Sequence, residues 1–266
     1  MPSPKPPDFR KLEPIECVHY RDQLRSARYA ALADAEGFGE ICFALESLGL
    51  RLLGQQGTLD KYKDRIAIYA QQSPVLSELA ARTPSWFKSF DALYKTVQAA
   101  RNDAMHIGAY ARYATEAAIE LCIGMEEALM ANVKRTVGNV MVSSPVTVSH
   151  WQPLAHARQL MLMHSFSFLP VRLGQSWSLI SELGLAKFLS VDSGIRKVRL
   201  GMTIQSAEAA GMETIHLSNG QLLQATMTVE EVLQNSRVSS GPMLWLVVDE
   251  EHADHLAGVL SPFELM

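Results

Sequence analysis

The strand-to-helix stretch LISELGLAKFL at 179–189 decides the fold, because it comes back as GVLSPFELM at 258–266. In both, an apolar run stops at a serine and a helical pattern starts, with Ser261 following Ser181 by 80 residues. The same order reappears upstream of each copy. Strand-like SFLPV (167–171) and WSLIS (177–181) precede the first helix, and LWLVVDE (244–250) and LAGVLS (256–261) precede the second. Ahead of these lie helical PLAHARQLMLMH (153–164) and EEVLQNS (230–236), introduced by strand-like PVTV (145–148) and by Thr228-Val229, 81 residues beyond Thr147-Val148. The reading is a diverged internal repeat over about 140–190 and 222–266, each copy running strand, helix, strand, strand, helix. One copy alone leaves a sheet face uncovered, so the two are predicted to pack on each other.

Upstream of Gly138 and Asn139 strand patterns are absent. CVHYRDQLRSARYAALADAEGFGEICFALESLGLRLLG (17–54) carries apolar residues at three- and four-residue steps, closed by Gly54 and Gly57. A second helix fits 73–82, a third follows a Ser85 cap and runs through WFKSFDALYKTVQAARNDAMH (86–106), and a last spans about 113–134. The predicted fold class is α+β, with an all-α bundle over 15–135 ahead of the paired β-α-β-β-α units of 140–266.

The 266 residues are 48% hydrophobic and 20% charged, which suits two globular domains. A net charge of −4 rules out a chain-wide basic field for non-specific nucleic-acid binding, so any RNA contact has to be local. Cys17, Cys42 and Cys122 are scattered in apolar helical contexts and read as reduced core thiols, consistent with a cytoplasmic protein. Residues 1–14 hold Pro2, Pro4, Pro6, Pro7 and Pro14 and no long apolar run, so they are expected to form a disordered arm rather than a signal peptide or membrane span.

The repeat resembles a tandem pair of CBS domains, the modules named for cystathionine β-synthase. The resemblance rests on SPVTV (144–148), FLPV (168–171), LISELGLAKFL and GVLSPFELM. It implies an adenine nucleotide (AMP, ADP or ATP) as regulatory ligand in the cleft between the modules, and no cofactor for catalysis. The implied binding positions are Ser143, Val146, Pro170, Ser181, Thr226, Ser261 and Glu264. Members place an acid three residues after a Ser or Thr, on the ribose; here Ser261 and Glu264 hold those positions, with Glu for Asp. A carboxylate accepts bonds from both hydroxyls of a diol. Equally, Ser-Pro-x-Glu is a helix N-terminus with Ser261 as cap and Glu264 closing a capping box. In the first copy Gly184 stands where the acid is expected, so one competent nucleotide site is predicted rather than two.

Within the bundle, ARNDAMHIGAYAR (100–112) sets Arg101, Asn102, Asp103 and His106 into an alanine-rich helical pattern. Asn102, His106 and Tyr110 are four apart and share a face; Arg101 and His106 lie about 140° apart around the axis. RNDAMH resembles the Arg-polar-x3-His motif of HEPN domains, helical bundles found in many prokaryotic nucleases and toxins. That resemblance implies metal-independent RNA cleavage by attack of the 2′-hydroxyl on its own phosphate. His106 then moves the proton, Arg101 holds the phosphate oxygens and Asn102 orients them. Against it stands a plain surface pairing of Arg101 with Asp103.

Other candidates read as structure. Arg196, Lys197 and Arg199 in GIRKVRLG fit a solvated linker better than a phosphate site, His164 fits core packing, and His252 and His255 fit a hairpin tip with no metal. The helix over 113–134 offers Ala117, Ala118, Leu121, Gly124 and Met125 as a surface for a homodimer. Two functions follow: an adenine-nucleotide-regulated endoribonuclease acting on RNA, or a non-enzymatic nucleotide sensor whose bundle serves dimerisation or docking.

Overall fold

The computed structural model describes residues 10–107, 112–217, 222–235, 244–249, 251–252 and 254–265. The chain divides into two compact units, Met1–Lys134 and Arg135–Met266.

The first unit is helical: α1 (Pro14–Ala33), α2 (Phe38–Leu53), α3 (Leu59–Ala70), a π turn at Val75–Leu79 running into α4 (Ala80–Arg82), α5 (Phe90–Ile107) and α6 (Arg112–Met130). The single run expected over 17–54 is broken. Asp34 turns extended (φ −150°, ψ 134°), and Gly37 brings the chain so close to α1 that a Cβ there would lie 2.5 Å from the Ala30 carbonyl carbon. Only glycine allows that approach, and α2 starts immediately after it. The start of the third predicted helix also moves. Trp86 and Phe87 turn back on the Thr83 carbonyl, and Ser89 rather than Ser85 caps α5, its Oγ accepting from Ala92 N at 3.3 Å.

The arm expected over 1–14 is shortened from its C-terminal end. Leu12 is buried, its N–H donates to the Tyr69 hydroxyl at 2.7 Å, and Pro14 already opens α1; residues 1–9 lie outside the described residues. Leu24, Phe38, Leu45, Leu48, Ile66 and Leu121 are fully buried at the centre of this unit. Ala117, Ala118, Leu121 and Met125 of α6 belong to the same core, so they do not supply the dimer surface expected of them. The three cysteines are buried in this core and unpaired, and burial pushes the Cys42 thiol up to about 12.

The second unit runs α7 (Val137–Val140), β1 (Val142–Ser143), β2 (Val148–Ser149), α8 (Leu154–His164), β3 (Phe168–Leu173), β4 (Ser176–Ser181), α9 (Glu182–Leu189), α10 (Ser193–Gly201), α11 (Ile204–Ala209), β5 (Thr214–His216), β6 (Leu222–Leu223), α12 (Val229–Asn235), β7 (Trp245–Val248), β8 (Leu256–Leu260) and α13 (Pro262–Leu265). Among the described residues two four-stranded sheets form, ordered β2-β3-β4-β5 and β6-β7-β8-β1. Trp177, Leu179 and Leu246 pack between the sheets.

The repeat is present, but its copies are not self-contained. β1 lies at the start of the first copy yet pairs with β8 of the second, and β5 precedes the second copy yet pairs with β4 of the first. Matching backbone bonds mark the exchange. Val137 N donates to Met227 O and Val229 N to Arg135 O; correspondingly Ile204 N donates to Gln152 O and Leu154 N to Met202 O, all at 2.8–3.0 Å. The Thr147-Val148 and Thr228-Val229 alignment therefore slips. Thr228 and Val229 open α12 as Pro153 and Leu154 open α8, whereas Val148 pairs with β3 as Leu223 pairs with β7. The Ser181 and Ser261 equivalence holds, since Ser181 is the last paired residue of β4 and Ser261 follows Leu260, the last of β8, each directly ahead of a helix.

Candidate functional site

The two serines that end β4 and β8 frame the comparison. Ser181 caps α9, its Oγ accepting from Gly184 N at 3.0 Å. Gly184 has no room for a side chain: a Cβ would stand 2.6 Å from the Glu213 carbonyl oxygen, just ahead of the incoming β5. The first copy therefore lacks an acid for a steric reason.

In the second copy Ser261 N and Ser261 Oγ both donate to Glu264 Oε2, at 2.7 and 2.6 Å, while Ser261 Oγ accepts from Phe263 N at 3.3 Å. This is the capping arrangement. Thr228 and Glu231 repeat it at α12, with Thr228 N and Oγ1 donating to Glu231 Oε2 at 2.7 and 2.9 Å. Capping thus accounts for the Ser261–Glu264 geometry by itself, and the carboxylate is held in one orientation, half-buried, at the end of β8.

The exchange brings Ser143 to this end. It lies on β1 opposite Gly258 of β8, three residues before Ser261, and is exposed. Val146 is partly exposed, and Thr226 is exposed in the turn ahead of α12. Ser143, Thr226, Ser261 and Glu264 therefore belong to segments of the β6-β7-β8-β1 half. Pro170 and Ser181 belong to the other sheet, where Pro170 is buried opposite Leu179 in the middle of β3.

A polar row absent from the sequence reading occupies the first half. Ser178 Oγ, fully buried, lies 3.0 Å from His216 Nδ1; His216 Nε2 is 3.9 Å from Glu208 Oε1, which also lies 3.5 Å from Thr214 Oγ1. Ser178 and His216 are 38 residues apart and meet only because β5 pairs with β4. Their counterparts are Gly258 and Ser143, where the Met141 thioether fills the space a Gly258 side chain needs. Ser178 has no access for a substrate, so this row satisfies a buried hydroxyl.

In the bundle, Arg101 Nε lies 2.6 Å from Glu46 Oε1 of α2, each side chain about a quarter exposed. The guanidinium is therefore tied across to a second helix, not to Asp103. Asn102 and Asp103 are exposed. His106 lies on α5, but its side chain, like Tyr110, lies outside the described residues.

The basic tract at α10 also has structural work. Arg196 Nε donates to Leu189 O at 3.0 Å, and Arg199 bonds Phe188 O while lying over the Phe188 ring at 4.3 Å. Both arginines close the C-terminal carbonyls of α9. Among the described residues no group of His, Cys, Asp or Glu is set to hold a metal, and no helix is long and apolar enough to cross a membrane.

No family model matches the chain, and no curated protein gives a significant match. It is similar to a CBS domain-containing protein of unknown function from Bacillus anthracis, at 18% identity and TM-score 0.37, with 49% of this chain and 88% of that one covered. It is also similar to CBSX2 from Arabidopsis thaliana, at 16% identity and TM-score 0.35, over 50% of this chain and 92% of that one. CBSX2 in complex with AMP gives 16% identity and TM-score 0.36 over 49% and 92%.

Proposed function

We propose that this chain is an adenine-nucleotide-regulated homodimer in which residues 140–266 form a CBS-like sensory pair and the helical bundle is its output. One observation carries the reading: two halves of one repeat differ at the residue three beyond the terminal serine. The second half carries the Glu264 carboxylate there, held by Ser261 Oγ, whereas the Glu213 carbonyl fills that place in the first. A single nucleotide is expected, its ribose on Glu264 and its remaining contacts from Ser143, Val146, Thr226 and Ser261. Binding to the folded state alone raises the melting temperature with ligand saturation. Thermal shifts with AMP, ADP and ATP, repeated on Glu264→Ala and on Thr228→Ala as a capping control, test it. A shift that survives Glu264→Ala removes the ribose role.

In this reading the bundle is non-enzymatic, because Arg101 is committed to Glu46. A second reading is favoured by exposed Asn102 beside Arg101 in RNDAMH: metal-independent RNA cleavage by Arg101, Asn102 and His106. Incubation with mixed RNA in EDTA separates the two. Cleavage to 2′,3′-cyclic phosphate ends, lost in both Arg101→Ala and His106→Ala, establishes the enzyme; intact RNA leaves the sensor.

A further inference from the structure

α1 and α2 form a helical hairpin whose outer seam is a groove of about 620 Å³. Small residues line it: Ser26, Ala27 and Ala30 from α1, Ala44 and Ser47 from α2. Phe43 stands on its rim, 61% exposed, and Leu50 follows two helical turns on, 45% exposed. Glu40, Phe43, Ser47 and Leu50 are spaced by three, four and three residues and so make one stripe along α2.

The hairpin is also polarised. Asp34, Glu36 and Glu40 are exposed at its closed end, while Arg10, which covers Gly54, and Lys11 are exposed at its open end beside exposed Glu13, Arg51 there being tied to Glu16 at 2.6 Å. A stripe with an aromatic knob on one side of a small central residue, an aliphatic one on the other, and opposite charges at its two ends is complementary to itself when reversed. Reversal about Ser47 sets Phe43 against Leu50 and the acidic end against the basic end.

We infer that this groove is the homodimer surface, occupied by the same groove of a second copy around a two-fold axis passing near Ser47. An isologous pairing of this kind needs one patch that complements its own reversed image, which the charge order supplies. The small residues allow the helices to approach closely, and each Phe43 enters the space beside the other copy's Ser47. The inference rests on the homodimer reading and replaces α6, whose small residues are buried, as its surface.

The test is the mass of the full chain by light scattering across a micromolar concentration series, with circular dichroism as a check on folding. The wild type is expected to be dimeric, and Phe43→Glu to raise the dissociation constant at least tenfold with the helical signal unchanged, since Phe43 is mostly exposed. Glu40→Lys and Arg10→Glu each weaken the dimer, and the double variant restores it. Ser47→Cys forms a disulfide-linked dimer under oxidation, because the three native cysteines are buried. A dimer indifferent to Phe43→Glu and without the Ser47→Cys crosslink keeps the homodimer and overturns this surface. A wild-type monomer overturns both.

Discussion

The two halves of the Arg135–Met266 unit share a strand order and a set of exchanged backbone bonds, yet they differ wherever an exchanged strand meets the repeat. Where β5 enters the first half, the Glu213 carbonyl presses on Gly184 and His216 reaches buried Ser178. Where β1 enters the second half, Met141 fills the space over Gly258 and Glu264 keeps its side chain. A duplicated backbone therefore does not imply duplicated chemistry. The incoming strand decides which positions have room for a functional group.

The largest expected effect breaks what the halves have in common. Leu246 is fully buried between the sheets, and Leu246→Ala is expected to destabilise the unit by about 3 kcal/mol, from lost burial plus the cavity left behind. Urea unfolding followed by tryptophan fluorescence measures it; a change below about 1 kcal/mol means the sheets do not share a packed core.

Next, Gly184→Asp attempts to make the first half like the second. Its Cβ meets the Glu213 carbonyl, so destabilisation of about 1–3 kcal/mol is expected, with no second nucleotide site by calorimetry. A stable variant that binds two equivalents shows that the steric closure is absent.

Ser261→Ala and Thr228→Ala remove equivalent caps, each at about 1 kcal/mol. The two are expected to match in thermal stability without ligand and to part in its presence. Only Ser261→Ala diminishes a nucleotide-induced shift; equal loss in both makes Ser261 purely structural.

The smallest effect concerns the hairpins. β3 turns into β4 through Gly174 at φ 63°, with no ionisable group in the turn, while β7 leads into β8 through Asp249, whose carboxylate accepts from Glu251 N at 2.8 Å and His252 N at 3.2 Å. Those two N–H groups hold the Asp249 carboxyl below its ordinary value of 3.8. A group with a lowered folded value stabilises above its unfolded pKa, and that contribution disappears as pH falls through the folded one. Amide exchange at Glu251 and His252 should therefore accelerate, relative to an unstructured peptide, below about pH 3.8 and not at pH 6. The β3–β4 turn should show no such step. Equal protection of Glu251 and His252 at pH 3 and pH 6 removes the role of the carboxylate.

Much of this was legible in the chain. The terminal serines, the helices that follow them and the helical grammar before Gly138 rest on local periodicity and punctuation, which residues within a few positions of one another fix. Ser-Pro-Phe-Glu announced a cap, and the cap is formed. The Gly184 substitution was visible as a missing acid, although its cause, the Glu213 carbonyl, was not. Asp34 to Gly37 misled because a glycine inside an apolar helical run also fits a continuous helix; its close approach to Ala30 exists only once α1 and α2 fold back.

By itself, then, the sequence determined that there are two units of different class, that the second is duplicated, and where its serine-capped helices begin. Tertiary structure alone decided which strand completes which sheet, that Arg101 pairs with Glu46 across two helices, and that Ser178 meets His216. Those outcomes depend on contacts between residues tens of positions apart. Their free energy comes from sheet edges and buried polar groups that must find a partner, and no local pattern records which partner that is.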